Sequence, residues 1–317
     1  MVTSILEMLS MPLEAPVLFL IFNRPDTTLQ VFEEIRRVKP HKLFVAADGP
    51  REGVIGEKEK CERSRLIATN VDWVCRVETL FRDKNLGCKV AVSSAISWFF
   101  EHVSEGIILE DDCVPHPTFF HFCQIMLERY RFDDRVMHIS GANFQFGRKR
   151  GEATYYFSRF CHVWGWASWR RAWSYYDVEM SQWKSTKNKR FYAELFNTRS
   201  DWLFFQRSWD LVSNGQIDTW DYQWAFACLA QKSINIIPNF NLITNIGFGA
   251  CSTHTHRFSP AANIPAVGIP FPLSHPNKYA WNEDADYHTA QLFFRRGFFP
   301  LLASGIRQMI DRFLAKH

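Results

Sequence analysis

Four apolar runs of strand length punctuate the first 115 residues, and polar or turn-forming residues stop each one. APVLFLIFNRP (15–25) ends on Asn23, Arg24 and Pro25, and KLFVAADGP (42–50) ends in an Asp-Gly-Pro turn. VCRVETLFRDKNLG (74–87) is the third run and EGIILEDDCVP (105–115) the fourth. Between them the period lengthens. DTTLQVFEEIRRVKP (26–40) puts Leu29, Phe32 and Ile35 on one face behind an Asp26 or Thr27 cap, with Pro40 as the stop. CKVAVSSAISWFFEHV (88–103) and HPTFFHFCQIMLERY (116–130) read as further helices. This alternation predicts an α/β chain with a mostly parallel central sheet, right-handed crossovers and flanking helices.

Beyond about residue 135 the alternation fades. MHISGANF (137–144) reads as another strand, and RFCHVWGWASWRRAW (159–173) as an aromatic loop entering a helix. WDYQWAFACLAQKS (220–233) reads as a helix and INIIPNFNLITNIGFG (234–249) as extended chain. There is no internal repeat and no linker rich in Pro, Gly or Ser, so a single domain over 1–317 with an irregular second half is expected.

Ligands in parallel sheets collect at the carboxyl ends of the strands. Arg24, Asp48 and the triplet Glu110-Asp111-Asp112 all stand at such ends. Ionised carboxylates are rarely left beside a core without a partner, so the triplet is expected to face a cation. If the strand continued through it, Glu110 and Asp112 would share a face and Asp111 would point elsewhere. One or two such carboxylates can hold a hard divalent ion, leaving its other positions for water and ligand phosphates. A metal so held neutralises a departing diphosphate. No GxxxxGK[ST] loop is present and no GxGxxG follows the first strand; the glycine pair in GFGACS (247–252) lies in the wrong place for a phosphate loop.

Composition changes the picture little. Hydrophobic residues make up 47% and charged ones 22%, which excludes extended disorder. A net charge of +4 over 317 residues gives no support to nucleic-acid binding. The 12 Trp and 29 Phe are expected mostly in the core; core packing is the expectation for each of Trp164, Trp166 and Trp169, with stacking of one of them on a sugar as the alternative. The eight Cys show no CxxC pair and several sit in apolar stretches, which suits a reducing, cytoplasmic setting without a signal peptide. The tail LLASGIRQMIDRFLAKH (301–317) carries an apolar stripe, suited either to docking on the core or to lying in an anionic membrane face.

LFLIFNRP, FVAADGPR, IILEDDCVPHPTFF, WGWASWRRAW and TWDYQWAFA, in that order, resemble GT-A-fold glycosyltransferases of the N-acetylglucosaminyltransferase I type. More closely, they resemble bacterial hemolytic-protein-like nucleotide-diphospho-sugar transferases, over about residues 15–256. That resemblance implies a nucleotide-sugar-binding half (14–130), an acceptor-side half (131–290) and an amphipathic tail (291–317). It implies that Asp112 ligates Mn²⁺ (or Mg²⁺), that Asp111 contacts ribose and that Glu110 contacts the transferred sugar. Asp48 would bind uracil and Arg24 the nucleotide, with Asn85 and Lys89 completing the pocket. Trp220 and Asp221 match a Trp-Asp pair whose aspartate is the catalytic base, with Asp218 as its substitute; a helix cap is the plain alternative for either. His254 would neighbour the diphosphate. The expectation is a metal-dependent, inverting transferase moving a sugar from a UDP-sugar to a glycan or lipid-linked saccharide. A sugar-phosphate nucleotidyltransferase and a non-enzymatic carbohydrate-binding protein are the rivals.

Overall fold

Every residue of Val17–Ile21 (β1) is buried, as a strand covered on both faces requires. The structure, a computed structural model, describes residues 13–186, 189–248 and 261–295. Pro25 opens α1 (Pro25–Val38), where its missing N–H costs nothing, and Lys39 closes it in the left-handed conformation. There follow β2 (Lys42–Ala47), α2 (Glu57–Thr69), β3 (Arg76–Phe81), α3 (Gly87–His102) and β4 (Glu105–Glu110). The expected fourth run is two strands. Glu110 ends β4, the chain turns at Asp111 and Asp112, and β5 (Cys113–Pro115) leaves the main sheet.

Then come α4 (Pro117–Arg129), β6 (Val136–Ser140), β7 (Tyr155–Ser158), β8 (Trp166–Trp169) and α5 (Arg170–Trp173). A short α6 (Ser181–Ser185) and a 3₁₀ turn lead to α7 (Arg199–Ser213), α8 (Asp221–Ala230), β9 (Ile234–Pro238), β10 (Ile243–Asn245) and α9 (Glu283–Ala290).

One mixed eight-stranded sheet runs β3-β2-β1-β4-β8-β6-β9-β7. The first four strands are parallel, β8 is antiparallel to both β4 and β6, β9 is parallel to β6, and β7 is an antiparallel edge. Strands from both halves of the chain thus share one sheet, flanked by helices. Alternate side chains divide its core. Val17, Phe19, Ile21, Val45 and Leu109 meet α1 and α4, while Leu18, Leu20, Phe44 and Ile108 meet α3, α5 and α8. A third cluster, built on Trp183, Phe196, Phe205, Trp209 and Phe226, packs α6, α7 and α8 together. β5 pairs with β10 in a separate ribbon, which carries residues 245–248 to the end of β4. The seven described cysteines are free, and no described helix is long and apolar enough to cross a membrane. Cys251 and the tail stripe at 301–317 lie outside the described residues.

Candidate active site at the carboxyl ends of the strands

Because β4 ends at Glu110, the alternation expected across the triplet stops there, and Asp111 and Asp112 both turn toward Arg24. Arg24 follows β1, the neighbour of β4, and its two terminal nitrogens divide between the aspartates. One donates to Asp112 Oδ2 at 2.9 Å and the other to Asp111 Oδ1. The Phe22 amide donates to Asp111 Oδ2 at 3.1 Å. Burial pulls the Arg24 pKa down, but Asp111 and Asp112 outweigh it and hold the guanidinium above its usual range. Burial raises Asp111 against the pull of Arg24. Asp111 is thus a buried anchor for Arg24, while Asp112 remains partly exposed at 14%.

The Glu110 side chain has no hydrogen-bond or ion-pair partner among the described residues, while its main chain stands opposite Leu20 in the sheet. Burial first, then Asp112 and Asp111, push its carboxyl up to about 8, and Asp221 adds to the push. Four carboxylates therefore crowd one pole of the sheet with Arg24 among them.

The amino end of α3 decides two other assignments. Its first free amides have no partners within the helix. Leu86 and Gly87 donate to Asp48 Oδ2 at 3.0 and 3.1 Å, and Cys88 and Lys89 donate to the two oxygens of Asp218 at 3.0 Å. Asp48 also accepts from Gly49 N–H and from the Asn85 amide, each at 2.9 Å. Its lone pairs are spent on its own chain. Asp48 is a cap, not an open acceptor for a base, and Asn85 ties the same turn by donating to Gly49 O at 2.9 Å. Burial raises the Asp48 pKa against those bonds. Asp218 clasps the helix from 130 residues away, and Gly87, at φ +79°, leaves it room. A Cβ there would lie 2.7 Å from Asp218 Oδ2. Of Asp218 and Asp221, Asp218 is the one occupied as a cap.

Asp221 opens α8. Its Oδ1 accepts from the Thr219 hydroxyl and from Tyr222 N–H, leaving Oδ2 without a partner among the described residues. Trp220 corrects its expected donor contact. The ring is 3% exposed and stacks on Trp166 with centroids 5.7 Å apart, inside a nest completed by Trp173 and Trp224. A ring so enclosed cannot touch a ligand; it wedges the start of α8 against β8 and so fixes where Asp221 stands. Trp166 and Trp169 are core, as expected, while Trp164 is only half-buried, edge-on to Phe144 and Phe248. Lys89 Nζ reaches Glu179 Oε1 at 3.3 Å. His254 lies outside the described residues.

The sequence did not single out Gly247 as a contact of the triplet. Ile246 N–H donates to the Asp112 carbonyl at 2.9 Å, and a Cβ on Gly247 would stand 2.1 Å from Asp112 Oδ2. Only a residue without a side chain lets this strand end close over the carboxylate. Glycine there was legible, but its partner 135 positions earlier was not.

The donor set is of the kind a hard cation takes: carboxylate oxygens, with the Glu110 carboxyl unpartnered among the described residues and Asp112 partly exposed. Among the described residues no three His, Cys, Asp or Glu side chains converge as a complete metal cage. An ion at Asp112 would therefore draw most of its ligands from water and substrate. The chain matches no protein-family model, and no curated protein is significantly similar to it.

Proposed function

We propose that this chain is a metal-dependent glycosyltransferase of GT-A fold. It moves a sugar from a UDP-sugar to a hydroxyl of a glycan or lipid-linked saccharide, with inversion. The observation that carries the reading is Glu110, a carboxyl without a described side-chain partner at the strand end, crowded by the Arg24-bound Asp112 and by Asp221. Mn²⁺ or Mg²⁺ would be held by Asp112 with Glu110 beside it, and when bound it supplies the charge that neutralises a leaving diphosphate. Arg24, anchored by Asp111, presents a fixed cation to the same phosphates. Asp221 takes the acceptor proton: Thr219 and Tyr222 hold Oδ1, and the free Oδ2 meets the hydroxyl as it attacks. This division needs no titration by the buried Asp111.

The test is UDP release from a panel of UDP-sugars, with and without Mn²⁺. Metal-dependent release lost in Asp112→Ala, and cut by about 10²-fold or more in Asp221→Asn, supports the roles. Release that ignores both the metal and Asp112→Ala removes them.

A further inference from the structure

With Asp48 spent as a cap, the nucleobase needs another reader. A cleft of about 210 Å³ opens on the other side of Arg24, between the end of β1 and the start of α2, under Val54 and Ile55. That volume is too small for a whole nucleotide sugar and suits one part of it. Asn23, Arg24, Arg51 and Lys60 supply its polar groups. Glu57, 2% exposed, organises Asn23 and Arg51 among them. It accepts from Asn23 Nδ2 at 2.7 Å, from Arg51 N–H at 2.6 Å and from the Arg51 guanidinium.

The orientation of Asn23 follows from that contact. The bonds from Arg51 hold the Glu57 pKa low, so this carboxylate only accepts. Asn23 must turn its NH₂ toward Glu57, which leaves its Oδ1 for the cleft, with no described partner. Arg51 lies over the Phe22 ring at 5.8 Å, and neither its second terminal nitrogen nor Lys60 Nζ has a described partner. An amide oxygen that shares a cleft with two cationic donors can supply a donor–acceptor–donor set. Uracil offers the complement along O4, N3–H and O2; cytosine, with its amine and bare N3, does not.

We propose that this cleft binds the uracil of a uridine nucleotide, with Asn23 Oδ1 accepting from N3–H, Arg51 and Lys60 donating to the carbonyls, and the phosphates leading past Arg24 toward Asp112. The assignment rests on the nucleotide-sugar reading above and names its base and the residues that select it.

Calorimetric titration of the full chain with UMP and with CMP, without metal, tests it. UMP is expected to bind, and CMP roughly tenfold more weakly or worse, since a mismatched base leaves polar groups of the site unpaired. Lys60→Ala, a change on an exposed position, weakens UMP several-fold, and Asn23→Ala erases the preference over CMP. Asp48→Asn keeps that preference. Absence of UMP binding, equal binding of UMP and CMP, or UMP binding indifferent to both cleft substitutions overturns the inference. Metal-dependent UDP release alongside any of those results leaves the transferase standing without this base site. UMP selection at the cleft with no turnover of any UDP-sugar removes the transferase and keeps the base site.

Discussion

Glu110 carries a pH signature of its own. Burial and the neighbouring Asp112 and Asp111 raise its pKa from 4.5 to about 8. Between those values the folded chain holds a proton that the unfolded chain has lost, so stability falls as pH rises through the window. Glu110→Gln removes that cost. Its melting temperature is expected to match the parent near pH 5 and exceed it near pH 8; an unchanged difference across that range would show that Glu110 titrates normally. Asp48 predicts the opposite kind of result. Asp48→Ala strips a helix cap and is expected to cost about 1–2 kcal/mol in denaturant unfolding, while affinity for UMP stays within a few-fold. The acidic triplet and Arg24 were legible because they punctuate apolar strands. The capping role of Asp48 was not, since its partners are main-chain amides 38 and 39 residues downstream that no side-chain motif records.

At the scale of elements, two close approaches hold the site in shape. Gly247→Ala forces a Cβ into the space of Asp112 Oδ2 and is expected to abolish metal-dependent activity as thoroughly as Asp112→Ala, with unfolding stability reduced far less than activity. Normal activity in that variant would show that Asp112 is free to move. Trp220→Ala empties a stacked core position and is expected to cost about 3–5 kcal/mol, read by denaturant unfolding. The elements that the hydrophobic pattern does not announce are hidden for different reasons. The buried positions of α2 are Glu57, Cys61, Ser64 and Ala68, a helical spacing built from small or polar side chains, so no apolar stripe announces it. In β8 both faces are buried and both ends are Trp, so strand and aromatic loop look alike. α7 does carry a legible stripe, Trp202, Phe205, Trp209 and Val212, behind a Thr198 cap; it is obscured by Leu203, Phe204 and Leu211 on its other positions.

For the molecule as a whole, the parallel half of the sheet was legible and the antiparallel additions were not. Hydrophobic periodicity records that a strand is buried but not which neighbour it joins. β8 enters between β4 and β6, and that insertion brings Trp166 beneath Trp220 and sets Asp221 over the end of β4. Asp221 and the acidic triplet thus come from opposite halves of the chain, joined by the pairing of β4 with β8 and by Asp218 clasping α3. Both halves meet around Asp112. Titration of UDP into the chain with and without Mn²⁺ tests the proposed metal role of Asp112 most directly. The account predicts that Mn²⁺ tightens UDP binding by about tenfold or more and that Asp112→Asn abolishes the gain while leaving metal-free binding nearly unchanged. Equal UDP affinity with and without Mn²⁺, or a Mn²⁺ gain that survives Asp112→Asn, would contradict it.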